Sequence, residues 1–325
     1  MSMIQAEDLR KTFRVYRRGE GLKGYLKSFV SREYEDVEAV KGIDLSIDEG
    51  EMVGYIGPNG AGKSTTVKML TGILEPSSGS VEVNGRDPHR NRRENAMDIG
   101  VVFGQKTQLW WDLPVRDSFR LLREIYEVDR EVYEERIEEF TDVLDLESFM
   151  DQPVRKLSLG QKMRCELAAA FLHHPPVVYL DEPTIGLDVS VKEKIRQFIK
   201  RMNREEDITM LLTSHDLDDI EDLCDRLLVL DDGRVIYDGT IDELLERFTE
   251  RRLILDGVEE EVGEDAEGVM EVEQENGTAE VVFDRSKVSA SDLIQDFLER
   301  YDVSDVHIKE PDINEVVKRI YDEGV

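Results

Sequence analysis

Nine residues constrain this chain more than any others: Gly57, Pro58, Asn59, Gly60, Ala61, Gly62, Lys63, Ser64 and Thr65. The first eight fit the spacing G-x-x-x-x-G-K-S/T, whose glycines let the backbone curl so that successive N–H groups point inward at phosphate oxygens. The loop lies between a short apolar run at 52–56 and a stretch of helical spacing at 63–74. Strand, glycine turn and helix in that order put the positive end of a helix dipole on the loop. In that setting Lys63 places a charge on the β- and γ-phosphates of a nucleotide, and the Ser64 hydroxyl ligates Mg²⁺. The bland alternative is a glycine turn without chemistry, and the flanking strand and helix argue against it.

Three further apolar runs follow. One, at 177–180, ends in Asp181, Glu182 and Pro183; another, at 208–213, ends in Ser214, His215 and Asp216; the third, at 227–230, enters the turn Asp231, Asp232, Gly233. Helical patterns at 189–203 and 217–224 separate them. Buried strands alternating with helices predict an α/β fold with a largely parallel sheet. Helical patterns at 115–126, 131–144 and 161–173 interrupt that alternation and read as a helical subdomain inserted at about 107–174.

The charge is uneven. Acidic residues number 73 against 42 basic, a formal net of −31. The first 34 residues carry eight bases and four acids, whereas residues 241–325 carry 26 acids and nine bases. That shift divides the chain into a domain of residues 1–240 and an acidic accessory α+β domain of residues 241–325. In the latter, Met270 and Val272 alternate with Glu271 and Glu273, as in a half-buried strand. A second β-prone run at 278–283 follows Asn276-Gly277, a favoured hairpin pair. Helices at 289–300 and 312–321 and a strand at 303–308 complete the reading.

A hydrophobic content of 40% can fill a core. Two cysteines, Cys165 and Cys224, cannot make a disulfide framework or a four-ligand zinc site, and read as small buried hydrophobes. The first residues lack the apolar core of a signal peptide, and no run reaches the ~18–20 apolar residues of a membrane span. The expectation is a soluble, cytoplasmic protein that meets a membrane only through a partner. The acidic balance argues against a whole-surface nucleic-acid binder, which needs a basic footprint. It also suits a high-salt cytoplasm, where screening weakens self-repulsion; unfolding midpoints that do not rise from low to molar KCl would refute a halophilic host.

An aspartate closing a buried strand is placed to hold Mg²⁺, directly or through water. Asp181 has that position, and the adjacent Glu182 can polarise an attacking water. Six motifs then occur in one order. They are the loop at 57–65, Val101-Val-Phe-Gly-Gln105, Leu157-Ser-Leu-Gly-Gln161, the strand ending in Glu182, Gly186-Leu-Asp188 and Thr213-Ser-His215-Asp. With these motifs, from Walker A through Q-loop, signature, Walker B and D-loop to H-loop, residues up to about Gly239 resemble the ATP-binding subunit of an ABC transporter. The wording VVFGQKTQLWWDLP and the LSLGQ signature resemble its ABC-2 type, exporter-like branch.

The resemblance implies a P-loop NTPase fold of ABC type with ATP and Mg²⁺ as cofactors. It implies that Gln105 reaches Mg²⁺ or the attacking water and that His215 bonds the γ-phosphate and orients the water. Asp188 would lie at a dimer interface. Ser158 and Gly160, with Gln161 beside them, would cap the ATP held by the opposing subunit. Tyr34 would stack on adenine, with Phe13 and Tyr16 as competitors. The departure is Leu159, where the common signature has glycine. A β-carbon there narrows the approach to phosphate, and the hydrolysis rate is what it affects.

The active unit implied is a head-to-tail dimer with a second copy or close paralogue, lying on the inner face of the cell membrane against a separately encoded permease. Trp110 and Trp111 read either as anchors for that permease or as core of the helical subdomain. In residues 19–32, Leu22, Tyr25, Leu26 and Phe29 share one helical face with Lys23 and Lys27 beside it. Such a basic amphipathic helix lies on headgroups or a partner, or packs on its own sheet. A second functional class is a soluble ABC-type ATPase acting on nucleic acid or ribosomes. Those proteins usually carry two ATPase domains, a coiled-coil insert or zinc modules, and none is read here; no nucleic acid is expected as a partner. A silent nucleotide-binding regulator is a third class, against which Lys63, Asp181, Glu182 and His215 argue.

Overall fold

Two long strands, β1 (Ser2–Tyr16) and β2 (Tyr34–Asp48), pair antiparallel at the start of the chain. The computed structural model describes residues 2–16, 34–104, 106–248, 250–309 and 313–323. The expected basic helix at 19–32 lies outside them. Two units form, Met1–Gly239 and Thr240–Val325.

In the first unit, β3 (Met52–Ile56) runs through the glycine loop into α1 (Lys63–Leu70). Next come β4 (Ser78–Val83), α2 (Arg92–Asp98) and β5 (Ile99–Phe103). The helical insert holds α3 (Val115–Ile125), α4 (Arg130–Val143) and α5 (Leu159–Phe171). Then follow β6 (Val177–Asp181), α6 (Val189–Glu206), β7 (Thr209–Thr213), α7 (Leu217–Leu223), β8 (Arg226–Asp231) and β9 (Arg234–Thr240).

The α/β expectation holds. Six strands form one sheet in the order β5-β6-β7-β3-β8-β9, and the pairings from β5 to β8 are parallel. Every residue of β3 and β7 is buried, as strands covered on both faces require. Parallel strands end on one edge, so the loops after β3, β5, β6 and β7 gather there. α1 stops at Leu70, short of the expected 74: Gly72 takes a φ of 74°, and Leu74 N–H donates back to Lys68 O at 2.8 Å.

A second sheet, β2-β1-β4, was not legible as a unit. Its strand β1 breaks alternation at Asp8, which has a φ of 43°, and its register with β2 shifts between Ala6 and Leu9. Ile4, Leu9, Ile43 and Ile47 from this sheet share one buried cluster with Tyr55 of β3 and Val67 and Leu70 of α1. Each fully buried aliphatic of that kind contributes roughly 1.5–3 kcal/mol relative to exposure, so this cluster seats the helix that follows the glycine loop. The insert is held to α6 by aromatic edges. Phe198 meets Phe140 and Phe171 with ring centroids 5.3 Å apart in each pair.

The second unit contains α8 (Ile241–Arg247), β10 (Glu250–Asp256), β11 (Val269–Glu275), β12 (Thr278–Asp284), α9 (Ala290–Arg300), β13 (Asp305–Lys309) and α10 (Ile313–Glu323). Its antiparallel sheet runs β11-β12-β10-β13 over a core that includes Leu253, Val281, Phe283 and Phe297. The hairpin forms at Asn276 and Gly277, with φ of 53° and 83°. The reading of Met270 needs correction. The register of β11 against β12 skips that residue, leaving Met270 52% exposed while Val269 and Val272 pack on the core. A bulge of this kind shifts the inward face by one residue. Cys165 and Cys224 are free and buried. Among the described residues no helix is long and apolar enough to cross a membrane.

Candidate functional site

The glycine loop is closed by Ala61 N–H donating to Pro58 O at 3.1 Å. Gly62 has a φ of 105°, and a Cβ there would stand 2.6 Å from the Ala39 carbonyl oxygen; only glycine fits both the dihedral and the gap. Gly62 also precedes α1 without a side-chain cap, so the first-turn N–H groups of α1 face the cleft as anion donors. Lys63 is buried, and its Nζ donates to Gly57 O and, at 3.3 Å, to Pro58 O. Burial pulls the Lys63 pKa down, while Glu182 and Asp181 act against that shift.

The ends of β6 and β7 supply the opposite wall. Asp181 Oδ1 accepts from Thr213 Oγ1 at 2.7 Å. Glu182 sits in the left-handed region with a φ of 59°, a conformation costing roughly 1–2 kcal/mol for a residue with a β-carbon. Its N–H donates to Thr213 O at 3.0 Å, which holds the turn. Glu182 Oε1 lies 3.1 Å from His215 Nε2, and its Oε2 accepts from His215 N–H at 3.3 Å. Burial raises the Glu182 pKa above the usual carboxylate range, with His215 opposing.

These groups face one cleft of about 450 Å³, lined by Pro58, Asn59, Gly60, Gly62, Lys63, Ser64, Thr65, Asp181, Glu182 and His215. The Ser64 hydroxyl and the Asp181 carboxylate are hard oxygen donors of the kind Mg²⁺ takes, usually with substrate phosphates and water completing its shell. No group of three or more His, Cys, Asp or Glu suited to a metal occurs among the described residues, and such a shared site needs none. A larger groove of about 920 Å³ lies along α3 and α4 and contains none of the expected site residues.

The remaining expected residues lie elsewhere. Ser158 caps α5 in a reciprocal box: its Oγ accepts from Gln161 N–H at 3.3 Å, and its own N–H donates to Gln161 Oε1 at 2.9 Å. Asp188 caps α6, accepting from Val191 N–H at 3.0 Å. A Cβ on Gly160 would meet Val191 and Leu187, and one on Gly186 would meet Leu159 Cδ2 at 3.2 Å. The starts of α5 and α6 therefore form a second cluster, and none of Ser158, Gly160, Gln161 or Asp188 lines the cleft. Tyr34 does not line it either. Its ring is 51% exposed at the beginning of β2, with the Arg14 guanidinium 5.8 Å from the ring centroid, whereas Ala39 on the same strand does reach the cleft. Gln105 lies outside the described residues.

Sequence reasoning missed several residues. Lys68, Gly104 and Lys106 line the cleft. Asp219, 1% exposed, accepts from Arg196 Nε at 2.6 Å, from Thr184 Oγ1 and from Ser214 Oγ at 3.5 Å. It ties together the segments after Glu182 and before His215, and no spacing in the sequence signals a link across three separate segments. The core reading of the tryptophans is not borne out, since Trp110 is 37% and Trp111 55% exposed.

Comparison with known proteins adds to this geometry. The family described as ABC transporter matches residues 40–185. The ABC transporter ATP-binding protein NatA of Bacillus subtilis (strain 168) is 34% identical over 220 residues, 66% of this chain and 89% of NatA. The daunorubicin resistance ATP-binding protein DrrA3 of Streptomyces coeruleorubidus is 35% identical over 213 residues, 66% of this chain and 67% of that protein. Among solved structures, the dimeric post-hydrolysis state of the ATP-binding cassette MJ0796 bound to ADP and Pi is similar with a TM-score of 0.61 at 28% identity, covering 74% of this chain and 99% of that one.

Proposed function

The chain belongs to the family of ABC transporter ATP-binding subunits, and on that premise we propose how its residues bind and use ATP. It binds and hydrolyses ATP to power a transporter. Lys63 and the first-turn N–H groups of α1 hold the β- and γ-phosphates. Ser64 and Asp181 hold Mg²⁺, which when bound neutralises phosphate charge. Glu182 polarises the attacking water, and His215, bonded to Glu182, orients it against the γ-phosphate. Gln105, next in sequence after the cleft-lining Gly104, serves the metal or the water. Tyr34 stacks on adenine if the base reaches along β2 beyond Ala39.

The division of the site carries the dimer reading. One chain places Lys63, Asp181, Glu182 and His215 in the cleft but presents Ser158, Gly160, Gln161 and Asp188 away from it. A complete site takes those residues from a second copy or a close paralogue, so that two ATPs lie between two chains. The solved neighbour is a dimer, which supports this. Ser158→Arg is expected to leave the Mg-ADP affinity of the single chain unchanged while turnover is lost. Equal losses of both would mean that Ser158 serves its own cleft.

The membrane-spanning part is a separate permease met from the inner face of the membrane. Exposed Trp110 and Trp111 supply the large apolar anchors such a contact uses. Purification of the chain without any multi-span membrane protein, from cells that hold its transporter, would count against it. The direction we propose is outward, as the daunorubicin-resistance relative suggests. Relatives named for import match as well, so the deciding measurement is the side of a vesicle on which cargo accumulates. No observation favours action on nucleic acid or ribosomes.

A further inference from the structure

Glu166 stands in the middle of α5 and is 3% exposed, among the buried side chains of Leu167, Ala168, Ala169 and Ala170. Packing alone does not account for it. A buried carboxylate is costly unless its oxygens are bonded, and an apolar residue of similar volume often does as well or better. Here both oxygens have donors from one short segment. Oε1 accepts from the Thr107 hydroxyl, and Oε2 accepts from Gln108 N–H at 3.1 Å. The Gln108 side chain returns the contact, its Nε2 donating to Glu166 O at 3.1 Å.

The same segment is pinned further along. Leu109 N–H donates to Thr107 Oγ1 at 3.1 Å, and Trp110 N–H donates at 3.2 Å to Ser118 Oγ on α3. At its other end it enters the nucleotide cleft. Gly104 and Lys106 line that cleft, Gly104 N–H donates to Asp181 O at 2.9 Å, and Lys106 N–H donates to Phe103 O at 3.0 Å. Burial raises the Glu166 pKa, with the Thr107 and Gln108 hydrogen bonds and the charge of Lys162 opposing. Within a few residues the chain passes from the cleft wall to the helix whose N-terminus is Ser158.

We propose that Glu166 is a positioning residue that clamps residues 107–108 to α5, so that the cleft edge at Lys106 and the capping serine Ser158 move as one body. The clamp rests on the dimer reading above: nucleotide held in one chain's cleft sets the position of the serine that this chain offers to its partner. It gives the two ATP sites a mechanical link within each subunit.

The test uses the 325-residue chain carrying Glu182→Gln, with ATP and Mg²⁺, and reads the dimer dissociation constant by sedimentation. Glu166→Ala and Thr107→Val are each expected to weaken the dimer about tenfold, within the range of coupling energies between sites. The affinity of the single chain for Mg-ADP stays unchanged. The double variant is no weaker than either single one, because both break the same clamp. Glu166→Gln restores the dimer, since its amide can accept from Gln108 N–H and donate to Thr107 Oγ1. An unchanged dimer constant in both Glu166→Ala and Thr107→Val would overturn the clamp and leave the two-chain site standing. Parallel losses of Mg-ADP affinity and dimer affinity would overturn it too, as the mark of a packing residue. If Glu182→Gln itself forms no ATP-driven dimer, both readings fall.

Discussion

Glu182→Gln is expected to lower kcat by about 10²–10⁴, the usual contribution of a positioned acid–base group, and to trap a dimer holding ATP. The amide keeps the shape of the side chain and a hydrogen bond to His215, so the cleft still assembles. What it loses is the negative charge that polarises the water. With hydrolysis stopped, the contacts that ATP makes only in the closed state keep the population there. Sedimentation with saturating ATP and Mg²⁺ checks this, and a monomer under those conditions would refute a site shared between two chains. The same carboxylate sets a pH limb. Glu182 has its pKa raised, first by burial, and its working form is deprotonated. As pH falls it gains a proton and turnover drops, at a pH higher than the ~4.3 of an exposed glutamate. The residual turnover of Glu182→Gln should lack that limb.

Lys63→Ala is expected to cost the largest share of nucleotide affinity. Lys63 is buried with its Nζ held by the carbonyls of Gly57 and Pro58, so it is already aimed into the loop when phosphate arrives. Truncating one partner of a buried charge pair costs about 2–5 kcal/mol, a loss of roughly thirtyfold to several thousandfold. Titration with a fluorescent ATP analogue measures it. Lys63→Arg should not rescue binding, because a planar guanidinium fork does not reproduce the compact point charge of the ammonium. An affinity unchanged in Lys63→Ala would remove Lys63 from the phosphate site.

Leu159 bears on how the second cluster works. Its side chain is 47% exposed and lies against Gly186 of the turn before Asp188. A leucine in the signature therefore has an apolar contact within its own chain, between the caps of α5 and α6. The sequence reading treated it only as an obstruction to phosphate. The contact was invisible there because Leu159 and Gly186 are far apart along the chain.

What the sequence determined by itself was local. The glycine loop demands positive φ values that glycine takes without strain, 89° at Gly60 and 105° at Gly62. The apolar runs ending in Asp181 and His215 are strands because buried parallel strands read as unbroken hydrophobic stretches. Asn276-Gly277 is a hairpin because both residues accept a positive φ. Each of these rests on interactions within a few residues. The tertiary structure decided what depends on distance. It put β7 between β6 and β3, so that Thr213 could hold Asp181 and His215 could reach Glu182. It gathered the starts of α5 and α6, with Ser158 and Asp188, into a second cluster outside the cleft. It shifted the inward face of β11 by a bulge, and it buried Glu166 against Thr107 and Gln108. Backbone dihedrals are set by neighbours in sequence. Strand order, burial and the partners of a buried charge are set by which distant segments pack together, and no spacing rule carries that information.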